Sequence, residues 1–134
     1  MRSITHFIHG AAASSTGGRA SDVLDPSTGA VQAQVHLGDA ALLDQAIESA
    51  KKAQPDWAAV NPQRRARVLF RYKELIEAHM DELAALLSSE HGKVIADAKG
   101  DVQRGLEVVE FACGIPHLLK GDYTQGAGPG IDVY

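Results

Sequence analysis

An α+β arrangement, a small β-hairpin followed by three long amphipathic helices, is predicted for this 134-residue sequence by three observations. Val31, Ala33 and Val35 alternate with Gln32, Gln34 and His36 directly after a proline and glycine turn. From Asp39 onward the apolar period changes to that of a helix. The helical stripes then exceed what two strands can cover, so some of these faces are expected to await a partner. The last residues, Ile131 to Tyr134, read as a strand that has only begun, so the chain is expected to be a piece of something larger.

Composition sets the broad class. Apolar residues at 45% and charged residues at 22% are ordinary for a globular protein and exclude disordered, collagenous or coiled-coil chains. The length supports one domain or part of one. A net charge of -4 gives no basic footprint, which sets aside nucleic acid and anionic membrane surfaces as main partners. No apolar run approaches the ~18 residues of a membrane span or follows a charged start as a secretory core would. The single cysteine, Cys113, cannot form an internal disulfide, and a reducing, cytoplasmic compartment is expected.

The elements follow in order. Thr5 to His9 is a short strand ending at Gly10, before an Ala, Ser and Gly run to Gly18 suited to a surface loop. Val23 and Leu24 pair with the Val31 to Val35 alternation across Pro26-Ser27-Thr28-Gly29, where proline presets φ and glycine accepts a positive one. Asp39 caps a helix over about Ala40 to Ala53, with Leu43, Ala46, Ile47 and Ala50 on its apolar face and Pro55 beyond its end. Trp57 falls in the connection. Asn61-Pro62 starts a second helix, striped by Val68, Leu69, Tyr72, Leu75, Ile76, Leu83, Leu86 and Leu87, with a break at Met80-Asp81 where Asp81 recaps, and Gly92 as its stop. A third helix over about Lys93 to Leu119 carries Ala98, Val102, Leu106, Val109 and Cys113 inward. Gly100 and Gly105 lower its propensity and mark a close approach by backbone or ligand, Pro116 hints at a kink or early stop, and Gly121 closes the segment. The stretch Thr124 to Gly130 reads as a loose turn.

Most candidate chemistry has a structural explanation. Cys113 lies on an apolar stripe and reads as a core residue. His6, His9, His36, His79, His91 and His117 lack the spacing of a zinc site, so no metal is expected. Gly126 to Gly130 precedes a strand, so it is not the glycine loop that opens a dinucleotide-binding helix. Arg64, Arg67 and Arg71 share a face with partners at Glu74, and Lys73 with Glu77, which reads as a salt-bridged surface. In Glu90-His91-Gly92-Lys93, Gly92 serves as a helix stop and Lys93 pairs with Asp97. Arg104 stands apart: beside Gly105, its planar, permanently charged fork suits a carboxylate, although pairing with Asp101 or Glu107 on the surface is the other reading.

Phe7-Ile8-His9-Gly10, Asp25-Pro26-Ser27-Thr28-Gly29, Trp57 and Glu90-His91-Gly92-Lys93 stand in the order seen at the start of the aldehyde dehydrogenase superfamily. Residues 97 to 113, Asp97-Ala98-Lys99-Gly100-Asp101-Val102-Gln103-Arg104-Gly105 and onward to Cys113, resemble more specifically the CoA-acylating methylmalonate-semialdehyde dehydrogenase branch. The resemblance runs from about Phe7 to Tyr134 and implies an α/β parent fold, with residues 1-134 forming the N-terminal segment of its NAD-binding domain and residues 131-134 beginning the next strand. It implies NAD as cofactor, CoA as co-substrate, a small semialdehyde substrate and a homo-oligomeric parent. The reaction implied is oxidative decarboxylation of methylmalonate semialdehyde to propionyl-CoA. The nucleophilic cysteine and nucleotide contacts of the family would follow Tyr134, so the resemblance gives Cys113 no catalytic part and implies that the isolated chain is inactive. Arg104 matches the branch's helix arginine that faces the substrate carboxylate. The competing readings are another aldehyde dehydrogenase of the superfamily and a stand-alone helical interaction module.

Overall fold

The computed structural model describes residues 1–14 and 18–134. The part of the expected polar loop at 15–17 lies outside the described residues. The described residues fall into two units, 1–57 with 89–92 and 58–88 with 93–134.

In the first unit the predicted hairpin is present as β4 (Ala20–Leu24) and β5 (Val31–His36), with Val23 opposite Ala33. Its turn is held by Asp25, whose Oδ1 accepts the N–H groups of Ser27 (2.8 Å) and Thr28 (3.2 Å), while Gly29 takes φ +74. A third strand, β1 (Arg2–Ile4), lies parallel to β5 on its other side, giving the order β1-β5-β4. Central placement leaves Ala33 with 0% exposure. Three residues are too few to show alternation, which is why β1 left no sequence signal.

Two expectations in this unit are corrected. The alanines after Gly10 form a strand, β3 (Ala11–Ala13), antiparallel to β2 (His6–Ile8). The tight turn between them puts His9 at φ 55 and Gly10 at φ 75, both positive as in the turn whose twist matches a hairpin. Pairing, not propensity, makes that strand. The first helix, α1, runs Ala40–Ala59, past Pro55 and through Trp57, which therefore lies in a helix and not in a connection. Proline there removes one N–H, whose acceptor would be the carbonyl of the exposed Lys51, and water can serve that carbonyl. The expected cap holds: the Leu42 N–H donates to Asp39 Oδ1 at 2.8 Å.

In the second unit α2 (Pro62–Ala78) begins as expected, with Asn61 Oδ1 accepting the Gln63 N–H at 2.9 Å and proline at the first helical position. The break falls at His79, not at Asp81: the His79 carbonyl accepts the Leu83 N–H and starts α3 (Met80–His91), leaving Asp81 and Glu82 to face the positive helix end. The expected third helix is two. α4 (Ile95–Cys113) ends at Gly114, and α5 (Ile115–Lys120) restarts with Pro116 in its first turn, where a missing N–H is harmless. Gly121, at φ 49, closes α5.

α4 lies against α2, burying Ala98, Leu106 and Cys113 on one side and Ala66 and Ile76 on the other. Small residues at Ala66 and Ala98 allow the two helices to approach. Lys73 Nζ sits 2.6 Å from Glu77 Oε1 and 3.9 Å from Glu110 Oε1, and the Glu77 hydrogen bond, opposed by partial desolvation, raises its pKa. The glycine stretch expected to be loose forms β6 (Thr124–Gly128), paired antiparallel with β7 (Ile131–Val133). Its order comes from Asp132, which accepts the Tyr123 hydroxyl at 2.6 Å and the Gly126 N–H at 2.7 Å. Local composition could not show those partners.

The expectation of uncovered apolar faces is met in each unit. Leu43 and Ile47 on α1 are exposed in the first; Val68, Tyr72, Leu75, Val108, Phe111, Leu118 and Leu119 are exposed in the second. No large side chain is fully buried among the described residues.

Candidate functional site

Arg104 lies on the outer side of α4, with its side chain exposed. The inward stripe of Ala98, Leu106 and Cys113 places Asp97, Gly100, Asp101, Arg104, Val108 and Phe111 together on the opposite face by the helical period. Val108 is 68% and Phe111 70% exposed, so one guanidinium and two large apolar side chains share an open surface.

Neither surface pairing considered for Arg104 is made: among the described residues no carboxylate lies within ion-pair distance of it. Asp101 is taken instead by Lys93. That also corrects the expected Lys93 pairing with Asp97. Lys93 precedes the helix, whose cap is Val94, so the helical i, i+4 spacing does not govern where its ammonium reaches. Gly100 and Gly105 have nothing within 4 Å of where a Cβ would stand, so neither marks a close approach among the described residues. An unpaired, permanently charged fork on such a face can take a carboxylate in two parallel hydrogen bonds.

The other residues singled out have structural parts. Glu90 pairs with Arg2 at 2.9 Å, and Gly92 takes φ +84 against the Pro26 ring. Gln32 ties the same junction by donating to the carbonyls of Leu24 (3.2 Å) and Ser89 (3.0 Å). The Asp25 to Gly29 turn and the Glu90 to Gly92 segment, far apart in sequence, thus meet within the first unit. No spacing argument foresaw that contact. Arg71 bridges Glu74 at 2.9 Å as expected, while Arg64 and Arg67 have no ion pair among the described residues. Cys113 is buried and free.

The Gly126 to Gly130 run is followed by β7 and no helix, so it presents no helix N-terminus to a pyrophosphate. These residues do not form a dinucleotide cradle. Among the described residues no group of three His, Cys, Asp or Glu is placed to hold a metal ion. No helix among the described residues is long and apolar enough to cross a membrane.

This architecture of hairpin and packed helices has close counterparts. The sequence profile of the aldehyde dehydrogenase family matches residues 12–133, and the chain belongs to that family. It is 42% identical over 134 residues to malonate-semialdehyde dehydrogenase of Pseudomonas aeruginosa, covering 100% of this chain and 27% of the relative. It is 48% identical over 131 residues to malonate-semialdehyde dehydrogenase 3 of Geobacillus kaustophilus, covering 98% and 27%. Among solved structures, the methylmalonate-semialdehyde dehydrogenase of Oceanimonas doudoroffii superposes with TM-score 0.87 at 45% identity, covering 98% of this chain and 27% of that one. A Sinorhizobium meliloti protein assigned to the same activity, crystallised with NAD, gives TM-score 0.88 at 57% identity with the same coverage. The chain thus spans about 27% of the length of the relatives it matches. This agreement does not favour a stand-alone interaction module.

Proposed function

We propose that this chain is the N-terminal segment of the NAD-binding domain of a semialdehyde dehydrogenase, where it supplies scaffold and one substrate contact. The observation that carries the reading is the exposed Arg104 guanidinium on the open face of α4, which has no ion pair among the described residues. Malonate and methylmalonate semialdehydes, the compounds in the relatives' names, differ by one methyl and share the carboxylate that such a fork recognises. The reaction proposed converts semialdehyde, CoA and NAD into acyl-CoA, carbon dioxide and NADH, giving propionyl-CoA from the methylated substrate. NAD, when bound by the complete enzyme, supplies the hydride acceptor, and this chain's described residues add no contact to it. Arg104 orients the substrate by its carboxylate, Cys113 stays a packing residue, and the 134-residue chain has no turnover of its own. A homo-oligomeric enzyme in the cytoplasm completes the proposal.

Steady-state kinetics test the assignment in an enzyme of the relatives' full length carrying this segment. Arg104→Ala is expected to lower kcat/KM for malonate semialdehyde about 10- to 100-fold, the scale of a charge-assisted hydrogen-bonded pair, and to leave propanal within about twofold. Equal losses on both aldehydes, or none on either, would remove Arg104 from the substrate site.

A further inference from the structure

Where α2 begins, Asn61, Arg65, His117, Lys120, Tyr123 and Gln125 line a groove of about 370 Å³ that lies within the second unit. Its lining has three basic side chains and no aspartate or glutamate, although acidic residues outnumber lysine and arginine 17 to 13 in this chain. None of the three basic groups has a carboxylate within ion-pair distance among the described residues. Arg65 lines the groove but its Nε is closed off without a hydrogen-bond partner, so an acceptor from solution would meet the terminal nitrogens of that guanidinium.

The helix end is not what makes this groove basic. The Gln63 N–H already donates to Asn61 Oδ1, and those of Arg64 and Arg65 donate to the Asn61 carbonyl. The wall opposite is fixed, because Asn61 Nδ2 donates to the carbonyls of Gln125 (3.2 Å) and Gly126 (2.6 Å). Asp132, which reaches Tyr123 across the hairpin, is committed to the Tyr123 hydroxyl and the Gly126 N–H.

We infer that this groove binds a compact oxyanion, the phosphate or carboxylate group of a small molecule, with Arg65 as the directional donor, Lys120 as a supporting charge and His117 as a hydrogen-bonding side chain. Arg104 is not among its lining residues, so the site is separate from the proposed substrate contact.

The test is a titration of the Arg104→Ala chain with inorganic phosphate and, separately, with succinate, followed by the amide resonances of Gln63, Leu119, Thr124 and Gln125, with chloride at matched ionic strength as control. Saturable shifts at those amides are expected, and the tighter of the two probes identifies the oxyanion. Lys120→Ala, at an exposed position, and Arg65→Lys, which keeps the charge but loses the fork, are each expected to weaken binding about tenfold. Shifts that follow chloride without saturating would overturn the site, as would either variant binding as tightly as its parent.

Discussion

At Gly92 the backbone conformation and the contact point the same way. Its φ of +84 is one that residues with a side chain rarely adopt, and an added Cβ would stand 3.0 Å from Pro26 Cγ and 3.3 Å from Pro26 Cβ. Gly92→Ala is therefore expected to destabilise the chain by about 1–3 kcal/mol in urea unfolding. Combining it with Pro26→Ala, which removes Cγ and keeps Cβ, should recover the 3.0 Å part of the contact and leave the φ part; full recovery would show that backbone strain contributes nothing. Asp132 and Tyr123 make a second residue-level device. The Tyr123 hydroxyl, then the Gly126 N–H, hold the Asp132 carboxyl below its ordinary 3.8, and Asp132 in turn raises the Tyr123 hydroxyl above 10.0. A lowered acid stabilises the fold above 3.8 and loses that contribution as pH falls through its folded value. A raised phenol stabilises below 10.0 and loses its contribution as pH climbs through its own folded value. The Gly126 amide should thus lose protection, relative to the intrinsic exchange rate at each pH, as the pH falls through the lowered Asp132 value, and Tyr123→Phe should reduce that protection at neutral pH. Exchange at Gly126 indifferent to both changes would contradict the bond's role.

Asn61 acts at the level of elements, since one side chain caps α2 with its oxygen and ties β6 with its nitrogen. Asn61→Asp keeps the cap and loses the tie, with an expected cost of about 1 kcal/mol; Asn61→Ala loses both, at about 2 kcal/mol. Equal costs in thermal unfolding would mean that the tie alone matters. The capping half of this was legible in the sequence, because Asn-Pro before an apolar stripe is a local signal. The tie was not, because its acceptors lie more than sixty residues away. The same division explains α1 and β6. Asp39 announced the start of α1, but Pro55 signalled a stop that the helix passes through, and the glycines of β6 hid a strand ordered by Asp132. Arg104 was legible as a residue type in a place, while the absence of an ion pair to Asp101 required knowing that Lys93 takes it.

Over the whole molecule, the shortage of strand against helix stripe foretold the outcome: Leu43, Ile47, Val68, Tyr72, Leu75, Val108, Phe111, Leu118 and Leu119 all stand exposed. So much uncovered apolar side chain predicts that the 134-residue chain binds a hydrophobic dye such as ANS and self-associates with rising concentration. A monomer that leaves the dye dark would contradict that reading of the surface. The central proposal concerns chemistry: Arg104 holds the substrate's carboxylate, while the one thiol, Cys113, which is buried, takes no part in the reaction. Incubating the 134-residue chain with NAD, CoA and malonate semialdehyde and following NADH absorbance tests this most directly. The account predicts a rate equal to the protein-free blank; NADH formation above the blank that disappears in Cys113→Ala would contradict it.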